Sequence, residues 1–516
     1  MNYRPFHQEL ELWDTWMFAD PDGRRMHLFY LANEPNGLWH WAGHAVSEDL
    51  VHWEKLPPVP LVRPDDTVDI GKAMGTGMVF AAPGGEYMMS FTTCLEGPAQ
   101  RIAFLHSKDL IHWDKKWPEP RIEAKPPYYE TDGTKSISNP PAFRDAYVHR
   151  VGDHYEALIG AHATSGPPLL RGCIARYKSV DPELRNWAPM PPILGPGISS
   201  LMEVPEHFQM GTRHYLIWSN VFWLAAPTDT LSRQQCSGTF YAMSDSYDGP
   251  YAVPADNLLI GASLSSQSYV GRTILWKGER LLYHHMWKPH SSLGFPKRIV
   301  QKSDGTIKTA YWPGIEKVHT GEIQLPLDLI KAQGEYLHAG EWNVVEDSGL
   351  VGSVDGGGSL GLVPVDLEDV HLRCRVTVES GTRFGITLRD LGQPSKRKEG
   401  VSKEIHGVAI QGDLRQGQWQ FGAPAHAWAS RIDMTEMIME APQIGKTYRM
   451  DLIVRDVYFE VYIDEIWKFT RIVNDRARSG GIGFYVDGGT ARFEKIQAWN
   501  LEPMSHPYPD PWPAVK

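Results

Sequence analysis

Ser47-Glu48-Asp49-Leu50-Val51-His52-Trp53-Glu54 returns almost unchanged as Ser107-Lys108-Asp109-Leu110-Ile111-His112-Trp113-Asp114. A looser copy runs from Ser179-Val180-Asp181-Pro182 to Asn186-Trp187, and shorter ones are Ser244-Asp245-Ser246-Tyr247-Asp248-Gly249 and Ser303-Asp304-Gly305. The leading serines are 60, 72, 65 and 59 residues apart. A chain that repeats at such an interval stacks copies of one supersecondary unit, each unable to bury its apolar face alone. Five units of several strands each predict a five-bladed β-propeller.

Each unit carries a hairpin of one style. The first joins Leu12–Phe18 to His27–Leu31 around Asp20-Pro21-Asp22-Gly23; the later ones turn at Gly84-Gly85, Gly152, Gly211 and Gly278. Short β-rich runs around Pro, Asp and Gly read as antiparallel pairs. With 48 Gly and 39 Pro among 516 residues, short strands between tight turns are expected throughout, so the fold class is all-β. The length exceeds what one core ordinarily organises, which predicts two domains. The propeller is expected over 1–320. A connection follows over 321–335, with a short helix near Asp328-Leu329-Ile330-Lys331. An antiparallel β-sandwich is expected over 336–502, its strands including Val370–Val378, Arg449–Arg455, Tyr458–Ile463, Trp467–Ile472 and Gly481–Val486. The tail, 503–516, is rich in proline and reads as an extended segment.

Net charge excludes some functions. At −11, with a pI near 6.0, the chain lacks the basic face that nucleic acid requires, and a neutral substrate suits it better than a phosphorylated one. Cys94, Cys173, Cys236 and Cys374 are far apart and show no CxxC spacing. They read as free buried thiols, so no zinc, disulfide scaffold or other cofactor is expected. Met1–His7 has no apolar core of a signal sequence, and nowhere do about 18 apolar residues run together. The expectation is a cytoplasmic protein that does not span a membrane.

In a propeller the first strand of each unit lies innermost, with its opening residues facing the central channel. Asp14 stands there in the first unit, Arg144-Asp145 in the third and Glu203 in the fourth; Gly75-Thr76-Gly77 and Tyr269-Val270-Gly271-Arg272 take those places in the second and fifth. Alone, Asp14 between tryptophans would read as a turn cap or an arginine's partner. Three carboxylates at one phase of three blades are instead expected to converge on one pocket. Such a set suits glycosidic cleavage, in which one carboxylate attacks the anomeric carbon or activates water while another protonates the leaving oxygen. Crowding raises the pKa of at least one of them. Arg144 is expected to keep Asp145 ionised, suiting it to hold sugar hydroxyls and steady positive charge on the ring.

At these residues the chain resembles glycoside hydrolase family 32, the β-fructofuranosidases of invertase, inulinase and levanase type. His27-Leu28-Phe29-Tyr30, Trp41–His44 and Ser47–Trp53 are similar to its first blade, and Tyr458–Arg471 to a strand pair of its sandwich. Phe143-Arg144-Asp145 resembles its Arg-Asp-Pro motif, which implies a transition-state stabiliser at Asp145. Glu203-Val204-Pro205 resembles its Glu-Cys-Pro motif, which implies the acid/base at Glu203. The family's opening Trp-Met-Asn-Asp-Pro-Asn-Gly is absent, and Asp20-Pro21-Asp22-Gly23 lies where only the hairpin turn fits. Asp14 has near the family's spacing from His27, and Trp13-Asp14-Thr15-Trp16 is similar to the nucleophile motif of levansucrases. The resemblance therefore implies Asp14 as nucleophile and retention of configuration, in a fructosidase or fructan transferase acting without a metal. Leu31, Ala146 and Val204 replace the family's Gln, Pro and Cys, which leaves the sugar open. A related clan of inverting arabinofuranosidases shares the propeller, and a non-catalytic sugar-binding propeller is a third reading.

Trp16, Trp39, Trp41, Phe222 and Trp223 are candidates for walls stacked on a small sugar or oligosaccharide, with Arg144 and Arg272 as further binding residues. Trp53 and Trp113 belong to the repeat and are expected in the core. His44 reads as structural, His284-His285 with His290 as a weak metal candidate, and Glu206 as a second candidate acid. The sandwich reads as structural or as a contact between protomers.

Overall fold

The computed structural model of the protein describes residues 11–33, 40–61, 73–94, 99–115, 121–133, 141–221, 236–263, 268–286, 292–333, 340–346, 349–391, 397–398, 401–402, 407–425, 431–438, 440–472 and 477–503. The chain divides into two compact units, residues 1–228 with 235–315, and residues 316–516 with 229–234.

Among the described residues the first unit is built from five antiparallel strand groups, four of them four-stranded sheets. They are β1 (Glu11–Ala19), β2 (Met26–Asn33), β3 (Trp41–Ser47) and β4 (Glu54–Pro60); β5 (Ala73–Ala81), β6 (Tyr87–Cys94), β7 (Gln100–Ser107) and β8 (Ile122–Glu123); β9 (Phe143–Val151), β10 (His154–His162), β11 (Gly172–Ser179) and β12 (Trp187–Leu194). The fourth and fifth are β13 (Glu203–Met210), β14 (Arg213–Asn220), β15 (Cys236–Ser244) and β16 (Leu258–Ser263); then β17 (Ser268–Trp276), β18 (Glu279–Met286), β20 (Lys297–Gln301) and β21 (Ile307–Ala310), with the short β19 (Ser292–Leu293) beside β18. Each is an antiparallel meander whose first strand touches the first strands of its neighbours, and β17 touches β1, so the ring closes. The Tyr283 hydroxyl accepts from the Met17 amide at 2.8 Å, joining the fifth blade to the first.

The repeated motif makes the turn from the third strand to the fourth. In blade one the Ser47 hydroxyl accepts from the Leu50 amide, and Asp49 Oδ1 accepts from those of Val51 and His52; Ser107 and Asp109 do the same in blade two. Leu50, Leu110 and Leu184 take positive φ (67°, 65° and 57°) with their side chains buried. Trp113 and Trp187 donate their indole N–H to the carbonyls of Leu110 and Leu184. A strained leucine persists in each because its turn is hydrogen-bonded on the outside and packed on the inside. Trp113 is buried and Trp53 half-buried. Between blades lie apolar layers: Trp16, Phe29, Leu31, Val79 and Phe91 between the first two, and Phe80, Phe104, Phe143 and Tyr177 between the next two.

All five innermost strands carry one extra residue at the same place. Register with the second strand breaks between Leu12 and Thr15, Gly75 and Met78, Arg144 and Tyr147, Glu203 and Glu206, and Tyr269 and Arg272. A bulge interrupts the strict alternation of side chains and re-aims those within it.

The second unit is a β-sandwich. One sheet runs β36 (Ile466–Ile472), β35 (Tyr458–Ile463), β34 (Thr447–Arg455), β27 (Val370–Ser380), β38 (Thr490–Leu501), β25 (Gly349–Ser353) and β24 (Glu341–Val345), with β22 (His319–Ile323) also on β38. The other runs β23 (Lys331–Gln333), β26 (Gly358–Leu367), β37 (Gly480–Asp487), β28 (Arg383–Asp390), β31 (Val408–Asp413), β32 (Gln418–Ala425) and β33 (Arg431–Ile438); β29 (Arg397–Lys398) pairs with β30 (Val401–Ser402). The sheets meet through aromatic pairs, Phe421 with Phe459 at 5.0 Å and Phe484 with Phe493 at 4.9 Å. The stretch expected as a connection carries strands β22 and β23, and a 3₁₀ turn over Leu327–Leu329. The proline-rich tail beyond Pro503 lies outside the described residues.

Candidate active site

Asp14, Asp145 and Glu203 come from the bulges of blades one, three and four, but not from one phase of them. Counting from the first residue of each bulge, Glu203 is first, Asp145 second and Asp14 third. The expectation of a single phase is thus corrected. In a regular strand these positions would alternate between faces; the bulges let three different positions serve one site.

Asp145 is the most enclosed, 3% exposed, with φ at +63°. Its Oδ1 accepts from the Thr76 amide at 3.0 Å and its Oδ2 from the Val204 amide at 3.2 Å, while its own amide donates to Thr92 Oγ1 at 2.8 Å. Gly75 makes this approach feasible, since a Cβ there would lie 2.4 Å from Asp145 Oδ1. Asp14 accepts at Oδ2 from the Thr76 hydroxyl at 2.5 Å. Thr76 therefore holds Asp145 with its backbone and Asp14 with its side chain. The Tyr269 hydroxyl donates to Glu203 Oε2, and Arg144 Nη1 lies 3.6 Å from Glu203 Oε1. The Asp14, Glu203 and Arg144 side chains keep 13%, 18% and 24% exposure, so the cluster opens to solvent on that side.

Burial pushes the Asp14 carboxyl up to about 8, reinforced by the Asp145 and Glu203 charges and opposed by the Thr76 hydrogen bond. Burial likewise raises Asp145 to about 6 despite Arg144. Arg144 acts on Asp145 in the expected direction, but loss of hydration outweighs the ion pair, and the guanidinium also answers to Glu203. With Asp14 raised to about 8, the resting site retains a proton into the neutral range.

The remaining candidates separate. Trp16 is 1% exposed, stacked on Phe29 with ring centroids 6.2 Å apart, and packed where a Cβ on Gly77 would strike its ring. It belongs to the layer between blades one and two and cannot be a sugar-stacking wall. Arg272 is 2% exposed, donates to the Gly77 carbonyl at 2.5 Å and lies 3.6 Å from Glu206. It braces blades two, four and five rather than presenting its guanidinium to a ligand. Glu206, held by Arg272 and the Thr273 amide and hydroxyl, is structural. Trp41 is 38% exposed and faces Ala32 across β2, at the end of blade one that carries Asp14. Trp39, Phe222 and Trp223 lie outside the described residues. His44 pairs with His27 at 2.8 Å and stacks on Phe29, a structural arrangement. Among the described residues no cluster of His, Cys, Asp or Glu is disposed to hold a metal; His290 falls outside them. The four cysteines are buried and none forms a disulfide.

Sequence reasoning missed Thr76 and Tyr269 as functional residues. Both sit at positions of the bulge that carry the catalytic candidates in other blades: Thr76 matches Asp145, and Tyr269 matches Glu203. That equivalence was the available signal.

The family profile described as "Glycosyl hydrolases family 32 N-terminal domain" matches residues 17–258. A sucrose-6-phosphate hydrolase of Escherichia coli is 28% identical over 223 residues, 40% of this chain and 41% of that protein. The matched segment thus spans about two fifths of that relative's length. Among solved structures, a sucrose-6-phosphate hydrolase from Lactobacillus gasseri superposes with a TM-score of 0.66 at 15% identity, covering 96% of this chain and 93% of that one. An Aspergillus kawachii β-fructofuranosidase complexed with glycerol gives 0.67 at 13% identity, covering 97% and 94%. These two show a shared fold. Residues 17–258, which carry Asp145 and Glu203, are thus similar to the N-terminal domain of glycoside hydrolase family 32.

Proposed function

We propose that the protein is a glycoside hydrolase that cleaves β-fructofuranosides with retention of configuration, Asp14 acting as nucleophile, Asp145 as transition-state stabiliser and Glu203 as acid/base. The single observation that carries this reading is the joining of the three carboxylates through Thr76, Val204, Arg144 and Tyr269 into one buried, partly open cluster. The relatives named above are a sucrose-6-phosphate hydrolase and a β-fructofuranosidase, and the profile match over residues 17–258 supports the same reading for this chain.

In the proposed reaction the Asp14 carboxylate attacks the anomeric carbon as the glycosidic bond breaks. Glu203 delivers its proton to the departing oxygen, leaving a fructosyl ester on Asp14. Glu203 then takes a proton from water as that water attacks the same carbon and frees Asp14. Asp145, held by two backbone amides and facing the ring, opposes the positive charge that develops there. A bound sugar's hydroxyls add to the partners these carboxylates already have. Fructosyl transfer follows the same steps with a sugar hydroxyl in place of water.

Among the described residues no helix is long and apolar enough to cross a membrane; a cytoplasmic site of action and an imported short oligosaccharide as substrate belong to this proposal. So does a role for the sandwich in contact between protomers.

The test is turnover of sucrose, sucrose 6-phosphate, inulin, levan and arabinofuranosyl model substrates, with NMR of the first-formed anomer. Released fructose in the retained configuration is expected. Glu203→Gln should lose roughly 10²–10⁴-fold, and Asp14→Asn should abolish turnover. Activity on arabinofuranosides alone, or inversion, would overturn the proposal.

A further inference from the structure

The fifth blade carries a polar ring that nothing in the proposed reaction uses. His285 lies directly across from Tyr269, the cross-strand partner of the first bulge residue. The same place in the other blades holds Ala32, Thr92, Gly160 and Ser219, all small. Thr92 shows that this place addresses the site, since its hydroxyl receives the Asp145 amide. Only in blade five does a large polar side chain stand there.

His285 is buried, 0% exposed, yet among the described residues neither of its ring nitrogens has a hydrogen-bond partner. An unmade hydrogen bond on a buried polar atom is costly, so such a group calls for an explanation. The neighbouring His284 shows what a structural histidine looks like here: its Nδ1 meets Ser268 Oγ at 3.1 Å and its Nε2 meets Lys297 Nζ at 3.1 Å. His285 is instead wedged between Trp13, with ring centroids 5.7 Å apart, and Tyr269, edge-on at 6.1 Å. Its Nδ1 points at Asp14 Oδ1 from 3.8 Å, too far for a hydrogen bond. Asp14 Oδ2 is already taken by Thr76, which leaves Oδ1 on the side of His285.

We infer that His285 binds a sugar hydroxyl alongside Asp14 and so helps set which furanose the site accepts. An oxygen about 2.8 Å from each of two atoms 3.8 Å apart fits between them. A hydroxyl there donates to Asp14 Oδ1 and accepts from the imidazole N–H. Burial keeps the ring neutral, at about 3, and a neutral imidazole offers one donor and one acceptor, matching a hydroxyl that both gives and takes. Because the partner is the proposed nucleophile, the hydroxyl belongs to a carbon flanking the anomeric carbon. This inference rests on the fructosidase reading and adds a specificity-determining residue to it.

The experiment compares kcat/KM of wild type, His285→Phe and His285→Asn on a β-fructofuranoside and on its 1-deoxy and 3-deoxy analogues. Wild type should disfavour one analogue roughly 10–100-fold, the range of a hydrogen bond to a charged partner. His285→Phe keeps the ring packing and leaves the bond to Asp14; it should lose about 3–10-fold on the parent sugar and distinguish that analogue correspondingly less than wild type. His285→Asn, which retains a donor and an acceptor, should recover part of the discrimination and guards against misfolding of the first variant. A merely structural role would lower all substrates alike and leave the ratios unchanged, which overturns the inference while leaving the fructosidase reading intact. Wild-type protein that turns over no fructoside overturns both.

Discussion

The Tyr269 hydroxyl on the fifth blade donates its hydrogen bond to Glu203 on the fourth, so the proposed acid/base is positioned by the neighbouring blade. Burial raises the phenol well above its usual range, which keeps it a donor. Tyr269→Phe removes that donor without changing the ring. Hydrogen bonds to charged groups contribute about 1.5–3 kcal/mol, so kcat/KM on a fructoside should fall roughly 10–100-fold with the melting temperature little changed. Full activity in this variant would remove Tyr269 from the site.

Thr76 is fully buried and its hydroxyl lowers the Asp14 pKa. Thr76→Val keeps the volume and the backbone amide that serves Asp145 but deletes that hydroxyl. The Asp14 carboxyl then rises further, so less of it is ionised at any given pH. The acid limb of the kcat/KM profile should move to higher pH, with a loss of roughly tenfold near neutrality. An unmoved limb would show that Asp14 is not the group whose ionisation the profile reports.

Asp14 also predicts a trade of stability for function. Its folded pKa of about 8 lies above the ordinary aspartate value of 3.8. Between those values the folded state holds a proton that the unfolded chain releases, so stability falls as pH rises through that window. Asn carries no such dependence. Asp14→Asn should therefore be more stable than wild type at pH 8, by on the order of 1 kcal/mol or more, and the difference should shrink towards pH 4. Denaturant melts at both pH values check it; equal stability at pH 8 would contradict the burial described.

Gly75 is required by close approach rather than by backbone conformation. A Cβ there would meet Asp145 Oδ1 at 2.4 Å and Thr92 Oγ1 at 2.6 Å. Gly75→Ala should displace Asp145 and cost about 10²-fold or more in kcat, since a shift of about 1 Å near the chemistry has that effect. Retained kcat, measured with the folded state verified by far-UV circular dichroism, would mean that Asp145 is not needed in its present place.

Much of this was legible in the chain because it is local chemistry. The motif led by Ser47 and Ser107 is a turn whose side chains bond to their own backbone, so the same letters make the same turn wherever they fall. Asp145 and Glu203 could be read because each begins an innermost strand next to a recognisable motif. Trp16 could not be read. A tryptophan two residues from the proposed nucleophile has the same letter whether it faces a sugar or a neighbouring blade, and the glycine that makes room for it, Gly77, is in a different blade. Arg272 was misjudged likewise, because Glu206 and the Gly77 carbonyl claim its guanidinium from two other blades.

What the sequence by itself determined is the unit: a strand pattern with period two, glycine turns and a capped third-to-fourth-strand turn, repeated five times before a second β domain. Those features depend on residues close in the chain, where backbone geometry and short-range hydrogen bonds decide the outcome. Only the tertiary structure decided which residues of five bulges face one another. An extra residue in each innermost strand breaks the alternation that spacing arguments assume, so Asp14, Asp145 and Glu203 meet from three different positions. Thr76, Tyr269 and His285 come beside the carboxylates because ring closure brings separate blades to one centre.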